Sequence, residues 1–268
     1  MNQENRRRYL IEELLEERGK NSADMMPDEK EQQRGLLRAL MNVRQPRPVS
    51  SRFLNIQDQY LRERAEEKGI TDYRDLTPVE KDIYLWRGDI TTLKCDCIVN
   101  AANSGLLGCF CPNHGCIDNA IHTFAGVQMR AECARLMAEQ GHEEKTGGAK
   151  MTSAYNLPCK YVIHTVGPII TGTVSKKDKE LLKSCYTSSL NLAEEKGLKS
   201  IAFCCISTGE FHFPSEKAAK LAVEAVRQFE RETGSEIEVI FRGRGLCGHR
   251  RGRGSFDFGR ICIPRRKI

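Results

Sequence analysis

The sequence predicts an α/β protein: a three-layer α/β/α sandwich on a mixed, largely parallel central sheet, preceded by an all-helical N-terminal region. Three observations predict it. From about residue 83, short apolar runs alternate with amphipathic stretches of helical length, the pattern of strands joined by crossover helices. Residues 1–80 carry helical spacing instead. The chain has 268 residues, 40% hydrophobic and 29% charged, long enough for a sizeable core and too apolar for a disordered chain.

In the N-terminal region, Leu10, Ile11, Leu14 and Leu15 mark a first helix, and Leu36, Leu37, Leu40 and Met41 a second that stops before the QPRP turn at 45–48. A third starts near Ser51 as N-cap and runs through Phe53, Leu54, Ile56, Tyr60 and Leu61. Residues 72–78 (DYRDLTP) read as a loop. Strands follow at Ile83–Trp86 and Cys97–Asn100, a helix at 117–140, and strands at Met151–Ala154 and Tyr161–Val166. A helix over 178–196, a buried strand Ile201–Ile206, a helix Ser215–Glu232 and a strand Ile237–Phe241 complete the pattern. The implied organisation is a helical region at 1–80, an α/β domain at 81–241 and a tail at 242–268. In such sheets ligands bind beyond the carboxyl ends of strands, which directs attention to the loops after Asn100, Val166 and Ile206.

Charge is divided unevenly. The formal net charge is +6, but residues 242–268 hold eight Arg, one Lys and one Asp, a net +8, which leaves −2 for the rest. The Arg/Gly composition of this tail predicts no stable packing, and makes it the one segment suited to nonspecific contact with nucleic acid phosphates. No apolar run approaches the roughly 20 residues that span a bilayer, and the first residues lack a signal-peptide core, so a cytoplasmic protein is expected. Twelve cysteines in that compartment read as thiols rather than a disulfide framework. Those in apolar runs (Cys97, Cys204, Cys205) read as small hydrophobes.

The loops carry five informative strings: Arg87-Gly88-Asp89-Ile90-Thr91, Val99-Asn100-Ala101-Ala102-Asn103, Cys116-Ile117-Asp118-Asn119-Ala120-Ile121-His122, the strand Tyr161–Val166 with Gly167-Pro168, and Ile206-Ser207-Thr208-Gly209-Glu210-Phe211-His212-Phe213-Pro214. Taken in this order, they resemble the macrodomain family, whose members bind ADP-ribose. The stretch at 108–122 (GCFCPNHGCIDNAIH) and the STGEFHFP loop further resemble its zinc-dependent members, protein-ADP-ribose hydrolases associated with sirtuin-class ADP-ribosyltransferases, whose helical N-terminal region is also similar.

Ser207-Thr208-Gly209 is a short loop feeding a helix; its N–H groups and hydroxyls suit phosphate oxygens, and Gly209 permits close approach. An ordinary strand–helix turn has the same composition. Asp89 lies past a strand end, where a carboxylate accepts from an exocyclic amine or caps a turn; the resemblance implies the adenine amine. Asn103 suits vicinal ribose hydroxyls or an Asx turn. The resemblance implies substrate contacts from Asp89, Ile90, Asn103, Ser207, Thr208, Gly209, Glu210, Phe211 and Phe213, with Phe213 walling the ribose pocket.

Cys109, His114 and Cys116 form a Cys-x4-His-x-Cys set, compact enough for one tetrahedral ion and leaving a fourth position open, as catalytic zinc sites do. The resemblance implies these three as Zn2+ ligands; Cys111 is an additional thiol that the sequence leaves open as a competing ligand. His122 and His164 read as core histidines. Asp118, at the start of a helix, complements the dipole; the resemblance gives it a part in orienting or deprotonating water, and places Asn103, also among the catalytic residues, at the distal ribose. The implied activity is removal of mono-ADP-ribose from a modified protein, with ester linkages to acidic side chains favoured. The competing reading is a non-catalytic ADP-ribose-binding reader, for which the zinc loop and Asp118 would be superfluous. The resemblance ends near Phe241, where the chain turns to Arg, Gly and Cys.

Overall fold

A computed structural model describes residues 1–243. The N-terminal region holds α1 (Gln3–Glu16), α2 (Ser22–Met25), α3 (Lys30–Val43) and α4 (Ser51–Lys68). Leu10, Ile11, Leu14 and Leu15 of α1 meet Leu37, Leu40 and Met41 of α3 and Phe53, Tyr60 and Leu61 of α4 in a core of their own. The cap of α4 is one residue earlier than the sequence suggests: Ser50 Oγ accepts from the Phe53 N–H at 3.0 Å. Residues 72–78 are also more regular than a loop, since β1 (Thr71–Asp72) pairs ahead to Leu93–Lys94 and a 3-10 turn follows.

The α/β domain then runs β2 (Ile83–Trp86), β3 (Leu93–Lys94), β4 (Cys97–Ala102), α5 (Ile117–Ala125), α6 (Val127–Gln140), β5 (Ala149–Ser153), β6 (Tyr161–Val166), α7 (Lys176–Glu195), β7 (Ser200–Phe203), α8 (Ser215–Thr233) and β8 (Glu238–Arg242). Six strands form one sheet in the order β2-β8-β7-β4-β6-β5. All pairs are parallel except the antiparallel edge β5–β6. Helices α5 and α6 pack on β4 and β5, and α7 and α8 pack together on the other layer. The result is the three-layer, mixed sandwich expected, with Ile98, Val99, Ile163, Ile201 and Phe203 among its fully buried strand residues.

Three boundaries shift for identifiable reasons. The helix expected over 117–140 is two helices, because Gly126 takes φ +102° where α4 and the 155–157 turn approach. A side chain there would stand 2.6 Å from Gln57 Nε2. The strand expected to reach Ile206 ends at Phe203, since Cys204 onward leaves the sheet to build the loop before α8. The tail placed from residue 242 begins later: Arg242 pairs with Trp86 and the Gly243 N–H donates to Trp86 O at 2.7 Å. The remainder of that tail, with its expected lack of packing and its suitability for nucleic acid, lies outside the described residues. Among the described residues no helix is long and apolar enough to cross a membrane, and the cysteines are free thiols.

A buried arginine joins the two cores. Arg130 of α6 is 5% exposed and donates to Leu107 O at 2.7 Å, Met41 O at 3.1 Å and Arg44 O, with its guanidinium over the Phe110 ring. Arg130→Leu strands three carbonyls, each worth about 1–3 kcal/mol when left unsatisfied. The expected result is a loss of about 3 kcal/mol or more of stability, read as a lowered midpoint in urea; an unchanged midpoint would contradict this account of the joint.

Candidate functional site

The carboxyl ends of β4 and β7, neighbouring central strands of the sheet, open into a cleft of about 440 Å3. It is lined on one side by Ala101, Ala102 and Asn103 after β4, and on another by Ser207, Gly209, Glu210 and Phe211 after β7. Cys109, His114, Cys116 and Asp118 form a third wall. That volume falls in the usual range for small-molecule pockets.

The loop after β7 is built for close approach. Ser207 takes φ +61° and His212 φ +56°, left-handed values uncommon for such residues. The turn is held by Phe213 N–H donating to Ser207 O at 2.9 Å and Thr208 Oγ1 donating to Cys205 O at 3.0 Å. The N–H groups of Gly209, Glu210 and Phe211 donate to no backbone acceptor among the described residues. Ser207 Oγ, though buried, likewise has no hydrogen-bond partner there. It lies so near the exit of β6 that a Cβ on Gly167 would meet it at 2.0 Å. Gly167→Ala is therefore expected to displace this loop and cost about 1–3 kcal/mol by overpacking, seen as a lower Tm. A wild-type Tm would show that the two segments have more room than the geometry allows.

The thiol–imidazole set sits across from this loop. The donor atoms of Cys109, His114 and Cys116 all lie within 4.8 Å of one another. His114 Nδ1 stands 3.6 Å from Cys109 Sγ, and its Nε2 3.7 Å from Glu210 Oε1. Cys116 is the N-cap of α5, its Sγ accepting the Asn119 N–H at 3.4 Å. Burial, with Asn119's N–H opposing and Cys109 and Asp118 reinforcing it, pushes the Cys116 thiol up to about 12. A divalent ion inverts that balance by binding thiolate outright. Two soft sulfurs and an imidazole converging on one point form a donor set that fits zinc. Cys111 is exposed and outside this group.

Behind the set, Asp118 is 5% exposed. Its Oδ1 accepts from Asn100 Nδ2 at 2.7 Å, and His122 Nε2 lies 3.6 Å from it. The same Asn100 amide lies 3.1 Å from His164 Nδ1, and His164 Nε2 is 2.9 Å from Thr152 Oγ1. Burial pushes the Asp118 carboxyl up to about 6 against the pull of Asn100 and Arg130. Burial also holds both histidines neutral, His164 down to about 4 and His122 well below the usual imidazole range. His164 is thus a satisfied core histidine; His122 is a core histidine whose ring nitrogens find no partner among the described residues.

These shifts set an acid limit. A buried histidine with a depressed pKa contributes stability that is fully present above about pH 6.5 and lost as pH falls towards 4. Asp118, with its raised value, works the other way below pH 6 but opposes two histidines with one group. Urea unfolding with chelator present should therefore show lower stability at pH 5 than at pH 7.5, and equal stabilities would contradict it.

The structure does not gather every residue singled out by sequence. Asn103, Ser207, Gly209, Glu210 and Phe211 line the cleft, but Asp89, Ile90, Thr208 and Phe213 do not. Phe213 is 2% exposed and packs in the main core. Ile90 is likewise buried at 1% exposure. Asp89 caps the turn that follows it, accepting from the Thr91 N–H at 3.0 Å, and pairs with Lys68 of α4. Burial raises its carboxyl, but Lys68 and Thr91 outweigh that and hold it below the usual range. Asn103 forms the Asx turn, its Oδ1 accepting from Gly105 N–H at 3.1 Å while Nδ2 donates to Gly108 O. Asn100 was not singled out, although an asparagine inside an apolar strand was a visible cue.

A mixed six-stranded sheet between helical layers, with its cleft at the ends of the central strands, defines a macrodomain. The macro domain family model matches residues 99–222, and the chain belongs to that family. It is 57% identical over 245 residues to a protein-ADP-ribose hydrolase of Treponema medium, covering 90% of this chain and 94% of that one. It is 50% identical over 235 residues to a protein-ADP-ribose hydrolase of Staphylococcus aureus, covering 87% and 88%. Among solved structures, the Trypanosoma brucei macrodomain in complex with ADP-ribose matches with a TM-score of 0.57 and 32% identity, over 75% of this chain and 87% of that one.

Proposed function

We propose that this macrodomain enzyme is a zinc-dependent protein-ADP-ribose hydrolase of the cytoplasm, removing mono-ADP-ribose from modified proteins, with ester linkages to acidic side chains preferred. The observation that carries the reading is the meeting, in one cleft, of an anion-ready loop, a Cys109–His114–Cys116 donor set and the buried Asp118 carboxyl. The hydrolase class rests on relatives so named that match over nearly their whole length.

The N–H groups of Gly209, Glu210 and Phe211 take the pyrophosphate, which fixes the remote part of the substrate and leaves the distal ribose beside Asn103 and Asp118. Asn100 holds Asp118 Oδ1, leaving Oδ2 to accept the proton of an attacking water. A carboxyl pushed to about 6 suits that task near neutral pH, being ionised yet more basic than a solvated one. Water oxygen joins the anomeric carbon, the bond from that carbon to the ester oxygen breaks, and the released carboxylate and ADP-ribose leave. Held by Cys109, His114 and Cys116, zinc would supply Lewis acidity toward water or substrate oxygen. The two flanking thiolates temper that acidity, so orienting the ribose is an equally suitable task for the ion.

Incubating a protein mono-ADP-ribosylated on glutamate with the full chain should release free ADP-ribose and strip the label. A reader module would instead bind the modified protein and leave its label intact, and that result would overturn the reading.

A further inference from the structure

The segment 106–116, which carries the proposed ligands, has no regular structure and three left-handed residues, Leu106, Gly108 and Asn113, at φ +54°, +80° and +55°. Such backbone persists where neighbours over-determine it. Asn103 and Arg130 hold its first part, through Gly108 O and Leu107 O, and the N-terminal region holds the rest. Arg38 of α3 donates through Nη2 to His114 O at 2.8 Å and to Asn119 Oδ1 at 2.7 Å, and through Nε to the same Oδ1 at 3.1 Å. Asn119 is fully buried, and its Nδ2 donates onward to Cys111 O at 3.0 Å and Cys109 O at 3.4 Å while its N–H reaches Cys116 Sγ. One turn along α3, Asn42 Oδ1 accepts the Asn113 N–H at 2.9 Å, and its Nδ2 donates to Thr123 Oγ1 at 2.8 Å. Thr123 Oγ1 closes the circuit on Asn119 O at 2.7 Å.

We propose that α3 is a clamp on the metal loop, with Arg38 a positioning residue that acts through His114 O and Asn119 to hold Cys109, His114 and Cys116 in ligating register. Every residue of the donor set is reached: His114 directly, Cys109 and Cys116 through Asn119. A planar guanidinium suits this task because its fork spans two acceptors at once, which an ammonium does not. The N-terminal helices thereby become part of the site's construction instead of an appendage beside it. This inference rests on the zinc reading above, since the register it explains is that of a donor set.

The test compares wild type with Arg38→Ala, Arg38→Lys and Asn42→Ala in the full, zinc-loaded chain. Arg34→Ala is the control, because Arg34 lies on the same helix but pairs with Glu31 and Glu67. Outer partners of metal ligands typically alter affinity about 10–100-fold. Arg38→Ala should accelerate zinc transfer to a chromogenic chelator by about that factor, lowering kcat while KM and the Kd for ADP-ribose stay near wild type. Arg38→Lys should fall between, and Asn42→Ala should show a smaller effect of the same kind, serving in place of Arg38→Ala if that variant does not fold. Arg34→Ala should match wild type. If wild type holds zinc and both Arg38→Ala and Asn42→Ala release it at the wild-type rate, the clamp is overturned alone. A wild type that holds no zinc overturns the metal reading and the clamp with it.

Discussion

His114→Ala is expected to abolish zinc binding and reduce release of ADP-ribose from a modified protein by about a thousandfold. Losing a Lewis acid removes several kcal/mol of transition-state stabilisation, at about 1.4 kcal/mol per tenfold in rate. Cys116→Ala should do the same with an added cost in stability, since Cys116 Sγ also caps α5 at Asn119. His114 has no such structural duty for its side chain: its ring faces Cys109 and Glu210, while its carbonyl, which Arg38 holds, survives the substitution. That separation makes His114 the cleaner test. Metal content and turnover must fall together; a variant that loses zinc but keeps turnover contradicts the assignment.

The second large effect is expected at Asp118. Asp118→Asn keeps the shape and a partner for Asn100, and removes the carboxylate's charge and its ability to take a proton at Oδ2. General-base contributions of about 10²–10⁴-fold set the expected loss in kcat. The Kd for ADP-ribose should change little, because the proposal gives the pyrophosphate to the N–H groups of the Ser207–Phe211 loop and not to Asp118. Calorimetric titration of ADP-ribose beside single-turnover rates separates the two. Equal loss of binding and rate would show Asp118 to be a structural member of the cleft.

Most of the fold was legible because each strand and helix declares its own period. The short apolar run at Tyr161–Val166 and the helical stripes of α7 and α8 need no distant partner to be read. Boundaries failed where distant contacts decide them. Gly126 breaks a continuous helical pattern because Gln57, far back in the chain, packs against it, and Phe203 ends its strand because the next residues build a loop.

The candidate site divides along the same line. Cys109, His114, Cys116 and Asp118 are close in sequence and meet in space, so their spacing foretold the cluster. The contacts that hold them were not legible. Arg38 and Asn42 lie 81 residues from their partners Asn119 and Thr123, and nothing local marks them. Asp89 shows the reverse: its string was conspicuous, yet Lys68 now sits on its carboxylate. Phe213 was conspicuous too, and its apolar ring went to the core, the commoner fate of a large side chain beside a buried strand. The overall +6 charge belongs to the tail, so the proposed anion binding in the cleft is assigned to oriented N–H groups rather than to surplus positive charge.

The central claim is that hydrolysis depends on zinc at Cys109, His114 and Cys116. Its most direct measurement is release of ADP-ribose from a mono-ADP-ribosylated protein by the full chain, first stripped of metal and then titrated with Zn2+. The account predicts that turnover vanishes on stripping and returns in proportion to bound zinc, saturating at one ion per chain. Undiminished turnover by the fully stripped chain would contradict it.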